Sequence, residues 1–145
     1  MLVVKVSPFT YKVIQSAYSN EHGVILLTRN HTIGVRIGHY IQTEMPFDRP
    51  NLTQGYRKLS FLCSIAVWQF YNRWGNENLD RLSTMLDRIA LDRFVAFLDG
   101  YTVNGKITDG IKAFYDIYEI EEDDYPVETA TKYLQRHRHN NNKSK

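Results

Sequence analysis

The sequence predicts an α+β fold, with a small N-terminal α/β lobe over residues 1–75 and a C-terminal three-helix unit over residues 76–139. Two observations predict it. Apolar residues recur every three or four positions through the second half of the chain, a spacing typical of amphipathic helices. Short apolar runs, alternating or continuous, occur through the first half and are typical of strands. A chain of 145 residues suits one compact domain overall.

Three segments of the N-terminal lobe are predicted strands, at about residues 2–6, 24–28 and 58–68. The first two are short apolar runs rich in residues that favour strands. In the third, every second residue is apolar: Leu59, Phe61, Cys63, Ile65 and Val67. The aromatic residues near and beyond its end are also consistent with the start of a helix: Trp68, Phe70, Tyr71 and Trp74.

Two helices are predicted between these strands. Ser7 can cap a helix start and Pro8 suits the first turn, so the first helix is expected to run to about residue 19. Residues 31–42 fit both an alternating strand and a helix face, and we favour the helix. Residues 43–55 contain two prolines and are predicted to form the longest loop.

The C-terminal unit is predicted to contain three helices, at about residues 77–99, 106–118 and 126–139. The first has the strongest apolar periodicity and is expected to end at Gly100, because glycine readily adopts the left-handed conformation found there. Asp124 near the cap and Pro126 in the first turn predict the start of the third. Residues 140–145 are polar and predicted to be disordered.

Composition and charge exclude several classes of protein. The net charge is only +2, which excludes a broad electropositive surface, so any contact with nucleic acid must be local. The lone Cys63 excludes an intramolecular disulfide and suits a reducing compartment. The first residues lack the pattern of a signal peptide, and no uncharged apolar run approaches the roughly 18 residues of a membrane span. We therefore expect a cytoplasmic protein that does not bind membrane.

No residue pattern indicates catalysis, a cofactor or a metal. Cys63 alternates with apolar neighbours, as an inert core residue does. None of the histidines belongs to an HExxH or paired-cysteine arrangement: His22, His31, His39, His137 and His139. The chain also lacks a P-loop, a GxGxxG motif and a GxSxG motif. The sequence therefore predicts a non-enzymatic protein without a cofactor or metal.

Charge is polarised within the C-terminal unit. Residues 101–130 hold two lysines against eight acids, a net charge of −6, whereas residues 131–145 hold five bases and no acid, a net charge of +5. One interpretation is a basic arm that contacts phosphate. The other is that the acids and bases complement the helix dipole, since acids favour a helix N-terminus and bases its C-terminus. The sequence leaves both open.

The first two helices of this unit, joined by a short turn at residues 101–105, also predict a helix–turn–helix arrangement. In DNA-binding versions the second helix lies in the major groove. Here that helix carries more acids than bases: Asp109, Asp116 and Glu119 against Lys106 and Lys112. The acidic face of this second helix is expected to repel phosphate, so the third helix is the better candidate for DNA binding. Helix pairs joined by short turns are also common in ordinary core packing.

Three stretches carry a resemblance: residues 105–120 (GKITDGIKAFYDIYEI), residues 121–125 (EEDDY) and residues 130–136 (ATKYLQR). They resemble the C-terminal part of small uncharacterised proteins of phages and integrated mobile elements of Bacteroidetes. The similarity covers about the last third of the chain. It implies a cytoplasmic accessory protein, and it supplies no catalytic residues.

The leading functional prediction is a non-enzymatic accessory protein that binds double-stranded DNA through the third helix. Lysine and arginine would contact phosphate and glutamine would reach a base edge, giving these candidate contacts: Lys132, Gln135, Arg136 and Arg138. The alternative is a protein–protein interaction module, a homodimer or a partner of another protein, without nucleic-acid binding. Its candidate interface is aromatic: Trp68, Tyr71 and Trp74.

Overall fold

A computed structural model of the chain describes residues 1–28, 32–42, 56–72, 77–101 and 106–143, with backbone alone for residues 32, 40–42 and 138–143. Within these ranges the elements follow in the order β1 (Leu2–Val6), α1 (Pro8–Tyr18), β2 (Ile25–Leu26), α2 (Thr32–Gln42), β3 (Arg57–Leu62), α3 (Ile65–Asn72), α4 (Glu77–Tyr101), α5 (Ile107–Tyr118) and α6 (Val127–Lys143). The predicted α+β class is confirmed. The chain divides into two compact units, Met1–Ala90 (unit 1) and Leu91–Lys145 (unit 2).

Unit 1 contains a three-stranded sheet in the order β1-β3-β2, with β1 antiparallel and β2 parallel to β3. Side chains of successive residues point to opposite faces of a sheet. One face is buried and forms part of the core: Leu2, Val4, Val6, Ile25, Leu59 and Phe61. The residues that alternate with these form what we call the outer sheet face: Met1, Val3, Lys5, Leu26, Tyr56, Lys58, Ser60 and Leu62.

The third strand is shorter than predicted. It ends at Leu62, and α3 begins at Ile65, so the prediction of a strand to residue 68 is wrong and the helical alternative is correct. Ser64 explains the change, because its hydroxyl accepts a hydrogen bond from the Val67 amide at 3.2 Å and its carbonyl accepts one from the Trp68 amide at 3.0 Å. A serine cap thus begins a helix inside a run that alternates like a strand.

The second strand is also shorter than the predicted residues 24–28. Val24 is held by Asn20 instead of the sheet: its amide donates to the Asn20 side chain at 3.0 Å and its carbonyl accepts from the Asn20 amide at 2.9 Å. Leu27 lies beyond the strand but still donates to the Leu62 carbonyl at 2.9 Å. The prediction for β1, residues 2–6, is confirmed.

The two helices predicted in the N-terminal lobe are both present. Ser7 caps α1 as expected, with its hydroxyl oxygen accepting from the Thr10 amide at 3.2 Å. α2 confirms the preference for a helix over residues 31–42, and its buried side chains Ile33 and Ile37 lie one turn apart. The predicted loop at residues 43–55 lies outside the described residues.

Polar contacts join the N-terminal half of α4 to β1 and α1. The Thr10 hydroxyl donates to the buried Asp87 carboxylate, and the Ser83 hydroxyl donates to the Lys5 carbonyl at 2.6 Å. A buried hydrogen bond to a carboxylate contributes more than a neutral one. These contacts explain why the division between the units falls inside α4 and not at its start.

Unit 2 is built on aromatic packing between the C-terminal half of α4, α5 and the start of α6. The Phe94 ring lies 4.8 Å from the Phe114 ring and 6.4 Å from the Tyr125 ring, in tilted and edge-on arrangements that favour aromatic attraction. The Tyr115 hydroxyl donates to the Tyr125 carbonyl at 2.6 Å. Aromatic packing and the buried Tyr115–Tyr125 hydrogen bond thus both contribute to the core of this unit.

The helix ends in unit 2 differ from those predicted. α4 continues through Gly100 to Tyr101, and α6 continues to Lys143, so residues 140–143 are helical where disorder was expected. Glu122 and not Asp124 accepts the hydrogen bond from the first amide of α6, that of Val127, at 3.1 Å. The Asp124 carboxylate instead accepts from the Glu121 amide at 2.9 Å and closes the preceding turn.

Candidate nucleic-acid and protein interfaces

The solvent-facing side of α6 carries the polar residues that the sequence selected. Lys132, Gln135 and Arg136 are exposed, whereas Ala130 and Leu134 are buried. Because a helix turns by about 100° per residue, positions 132, 135 and 136 fall within about 100° of one another and opposite the buried pair. We call these three residues the α6 basic face. Two cations and one amide therefore lie side by side on one surface.

Lys132 is already engaged in a weak contact. Its Nζ atom lies 3.3 Å from Oε1 of Glu128, one turn earlier, and both side chains are exposed, Lys132 at 62%. Exposed pairs of this kind contribute only about 0.3–0.5 kcal/mol, because solvent screens them. A phosphate group can therefore replace Glu128 at little cost.

The remaining bases of α6 can be placed by backbone position alone. Arg138, a predicted phosphate contact, lies in α6 at a position about 120° around the helix from Lys132. Its side chain is outside the described part of the structure. Lys143, which the longer helix brings into α6, lies within about 20° of Lys132 around the axis. Position 143 thus continues the line of the basic face.

α5 exposes more acids than bases. Its exposed residues include acids along the whole helix: Asp109, Asp116 and, at its C-terminal cap, Glu119. Lys106 and Lys112 are exposed among them. The exposed surface of this helix therefore carries a net negative charge, which would repel the phosphates of DNA.

Buried tyrosines anchor α6 to α5. Burial is the main cause that raises the pKa of Tyr115, and the neighbouring Tyr125, Glu122 and Asp124 raise it further. Burial likewise raises the pKa of Tyr125, with a smaller contribution from Tyr133. Both phenols therefore remain neutral hydrogen-bonding groups at physiological pH, and the Tyr115–Tyr125 bond holds the first turn of α6 in place.

The predicted aromatic interface is only partly available at the surface. Trp68 on α3 is 45% exposed, but Tyr71 is buried at 7%, and burial raises its pKa. Tyr71 packs edge-on against Phe70, with ring centres 5.0 Å apart. Tyr71 is therefore the buried residue of α3 and is not available as a surface contact. Trp74 lies outside the described residues.

Sequence reasoning missed two exposed apolar residues of α3. Ile65 is 77% exposed and Phe70 is 56% exposed. The segment from Leu59 to Asn72 contains no charged residue, although its last eight residues form a helix with Tyr71 as the buried side chain. An uncharged helix that buries so little is a signal of an interaction surface. The assignment of residues 63–68 to a strand concealed it.

Other kinds of site find no support in the described residues. No three side chains of the metal-binding types cluster within the described ranges. None of the helices in those ranges combines the length and the apolar character needed to cross a bilayer. Comparison with protein-family models, with curated proteins and with solved structures finds no match to this chain.

Proposed function

We propose that this chain is a non-enzymatic nucleic-acid-associated accessory protein that binds double-stranded DNA through the α6 basic face. The observation that carries the proposal is the arrangement of Lys132, Gln135 and Arg136, all exposed on one side of a helix whose opposite side is buried. Most acids of unit 2 lie on α4, on α5 and in the turn before α6, and Glu128 in the first turn of α6 is the acid that contacts the face, through Lys132.

The residues of the face have two kinds of role in this proposal. Lys132 and Arg136 are one helical turn apart, about 6 Å, and contact phosphate oxygens. Gln135 lies beside them, and its amide can pair with the N6 and N7 edge of adenine in the major groove. Two phosphate contacts per chain provide modest affinity, in keeping with a net charge of only +2.

The test is a titration of a fluorescent duplex with the purified protein at low and moderate salt, measured by anisotropy. The wild type should bind at low salt, and the double variant Lys132→Ala/Arg136→Ala should bind at least tenfold more weakly. The slope of log affinity against log salt should fall by about 1.8, since each lost phosphate contact removes about 0.9.

The matched control is Lys106→Ala/Lys112→Ala, which removes the same charge from exposed positions before and within α5. It should bind duplex DNA like the wild type. Equal losses in the two double variants would show a general charge effect and overturn the assignment to α6. Absence of binding by the wild type at low salt would overturn the proposed function.

A second candidate function is favoured by one observation, the exposure of Ile65, Trp68 and Phe70 on the uncharged helix α3. Large exposed apolar side chains mark protein interaction surfaces, and tryptophan in particular often dominates their binding energy. Under this alternative the chain self-associates or docks on another protein. Association measured by light scattering should then persist at high salt and be lost in Trp68→Ala/Phe70→Ala, with Lys132→Ala/Arg136→Ala unchanged.

A further inference from the structure

Two lysines face each other across the outer sheet face. The register of β1 and β3 pairs Lys5 directly with Lys58, and both are exposed. Directly opposed residues of an antiparallel pair have Cβ atoms about 5 Å apart, and like charges at such positions destabilise the sheet. The fold thus holds two positive charges together at a cost in stability.

None of the described residues that form the outer sheet face is an acid. The eight residues of this face are two lysines, one serine, one tyrosine and four apolar residues. Among the described residues, no carboxylate is recorded in an ion pair with Lys5 or with Lys58. Arg57 precedes Lys58 in β3 but belongs to the opposite face of the sheet, where its guanidinium carbon lies 5.3 Å from the centre of the Tyr11 ring. Lys5 and Lys58 therefore form a local positive site in a chain of low net charge.

An exposed aromatic ring lies beside this positive site. Tyr56 is 61% exposed, and Nζ of Lys5 lies 4.6 Å from the centre of its ring. A cation over a tyrosine ring is held by the negative face of the ring. The Lys5 ammonium and the exposed Tyr56 ring therefore lie side by side on the outer sheet face.

The opposite end of the outer sheet face is apolar. Val3 and Leu62 are 44% and 46% exposed, and Met1 continues the alternation at the end of β1. The paired lysines and the exposed Tyr56 ring therefore share one face with these apolar residues. Cations beside an exposed aromatic ring are the combination that binds single-stranded nucleic acid.

We propose that the outer sheet face of unit 1 binds single-stranded nucleic acid, with Lys5 and Lys58 contacting phosphates and Tyr56 stacking on a base. The charge of the face selects an anionic ligand, and the exposed ring beside the cations selects one with flat aromatic groups. Single strands offer both, because their bases are not enclosed by a partner strand. The proposed site uses residues of unit 1 alone and does not rest on the proposed duplex binding.

The test is the binding of a fluorescent oligothymidylate to the full chain at low salt, measured by anisotropy. Lys5→Gln/Lys58→Gln should weaken binding at least tenfold and lower the salt slope by about 1.4, since each contact with a single strand is worth about 0.7. Tyr56→Leu should weaken it by about 5- to 150-fold, the range measured for loss of one stacked base.

Two controls separate stacking and charge from general damage. Tyr56→Phe keeps the ring and should bind like the wild type, whereas loss of binding in this variant would contradict a stacking role. Lys106→Gln/Lys112→Gln removes the same charge as the lysine double variant from exposed positions in unit 2 and should not alter binding. Circular dichroism of each variant establishes that it is folded.

Further arms of the experiment separate this proposal from the other functions. Lys132→Ala/Arg136→Ala should leave oligothymidylate binding intact, so failure of duplex binding and failure of this site give different results. Absence of oligothymidylate binding by the wild type would overturn the proposal. A second arm uses vesicles of phosphatidylcholine and phosphatidylserine. If the protein binds these vesicles but not the oligonucleotide, and Lys5→Gln/Lys58→Gln abolishes vesicle binding, the face is a membrane contact and the proposal is overturned.

Discussion

The two basic surfaces of this protein are built in different ways. The α6 basic face comes from residues close together in the sequence, Lys132 and Arg136, which one helical turn places side by side. On the outer sheet face the two lysines are far apart in the sequence and meet only through the register of β1 and β3. The first surface could be predicted from sequence and the second could not. Local spacing reveals helical surfaces, whereas sheet surfaces require knowledge of strand pairing.

The surfaces also differ in their electrostatic setting. On α6, Lys132 has an acid one turn away and lies 3.3 Å from it. On the sheet, Lys5 and Lys58 oppose each other, and Lys5 is positioned over an aromatic ring. Lys132 therefore has a weak favourable contact with an acid in the free protein, whereas Lys5 and Lys58 repel each other. Functional sites often carry such a cost in stability, which is consistent with the proposed anion site on the sheet.

The largest expected effect comes from removing the aromatic support of the α6 basic face. Phe94 is fully buried, so Phe94→Ala should lower the free energy of unfolding by about 3–5 kcal/mol, as lost contacts and a cavity combine. Phe70 is 56% exposed, so Phe70→Ala should change the free energy of unfolding by no more than about 0.5 kcal/mol. Urea unfolding followed by circular dichroism measures both. Equal effects would contradict the distinction between a closed aromatic core in unit 2 and an open aromatic surface in unit 1.

The polar contact that supports the sheet should have the next largest effect. Thr10→Val keeps the shape of the side chain but removes the hydroxyl that donates to the buried Asp87 carboxylate, so it should cost about 1–3 kcal/mol. Thr131→Val is the matched control, because the Thr131 hydroxyl donates to the Val127 carbonyl within one helix. It should cost less than about 0.5 kcal/mol. The comparison of the two unfolding midpoints decides whether the buried carboxylate contact is a major anchor of unit 1.

Alkaline pH should weaken the anchor of α6. The folded-state pKa values of Tyr115 and Tyr125 are raised by burial above the ordinary value of 10.0, so their contribution to stability is complete below about pH 10 and declines as pH rises above it. Tyr115→Phe removes one of these groups and its hydrogen bond to the Tyr125 carbonyl. The variant should be less stable at neutral pH by about 1–3 kcal/mol but lose less stability between neutral and alkaline pH. If the free energy of unfolding falls by the same amount between neutral and alkaline pH in the wild type and in Tyr115→Phe, this account is contradicted.

The smallest expected effect is a change in the free energy of unfolding that has opposite signs for lysine variants of the two basic surfaces. Lys58→Gln removes one of two opposed lysines and should stabilise the free protein by about 0.2–1 kcal/mol at low salt. Lys132→Gln removes a favourable contact with Glu128 and should destabilise it by at most about 0.5 kcal/mol. Both effects should shrink at high salt, since salt screens exposed charges. Chemical unfolding at the two salt concentrations measures them, and a destabilising Lys58→Gln would remove the argument that the sheet holds its lysines at a cost.

Much of the fold follows from sequence because its signals are local. Periodicity and caps located α1, α2 and the long helix α4, and the short run at residues 2–6 located β1. The end of β3 was missed because residues 63–67 alternate like a strand, and only the Ser64 side chain begins the helix. α6 was predicted too short because three consecutive asparagines resemble a disordered tail, although the backbone continues helical to Lys143.

The candidate sites were predictable to different degrees. Exposure of Lys132, Gln135 and Arg136 follows from their spacing opposite Ala130 and Leu134. Whether each aromatic residue of α3 is buried or exposed does not follow from spacing, since Tyr71 is buried and Phe70 is exposed in the same short helix. Which side of an uncharged helix is buried depends on neighbouring elements. The outer sheet face carries no sequence signal, because it exists only when β1 and β3 pair.

The most direct test of two separate nucleic-acid surfaces is heteronuclear NMR mapping of backbone amide shifts, with a DNA duplex and an oligothymidylate added in separate titrations. The duplex should shift amides along α6 and leave β1 and β3 unchanged. The oligothymidylate should shift amides around Lys5 and from Tyr56 to Ser60 and leave α6 unchanged. Shifts at the same residues with both ligands would contradict the assignment of two surfaces. Shifts on neither surface would contradict nucleic-acid binding altogether and leave the exposed α3 as the site to pursue.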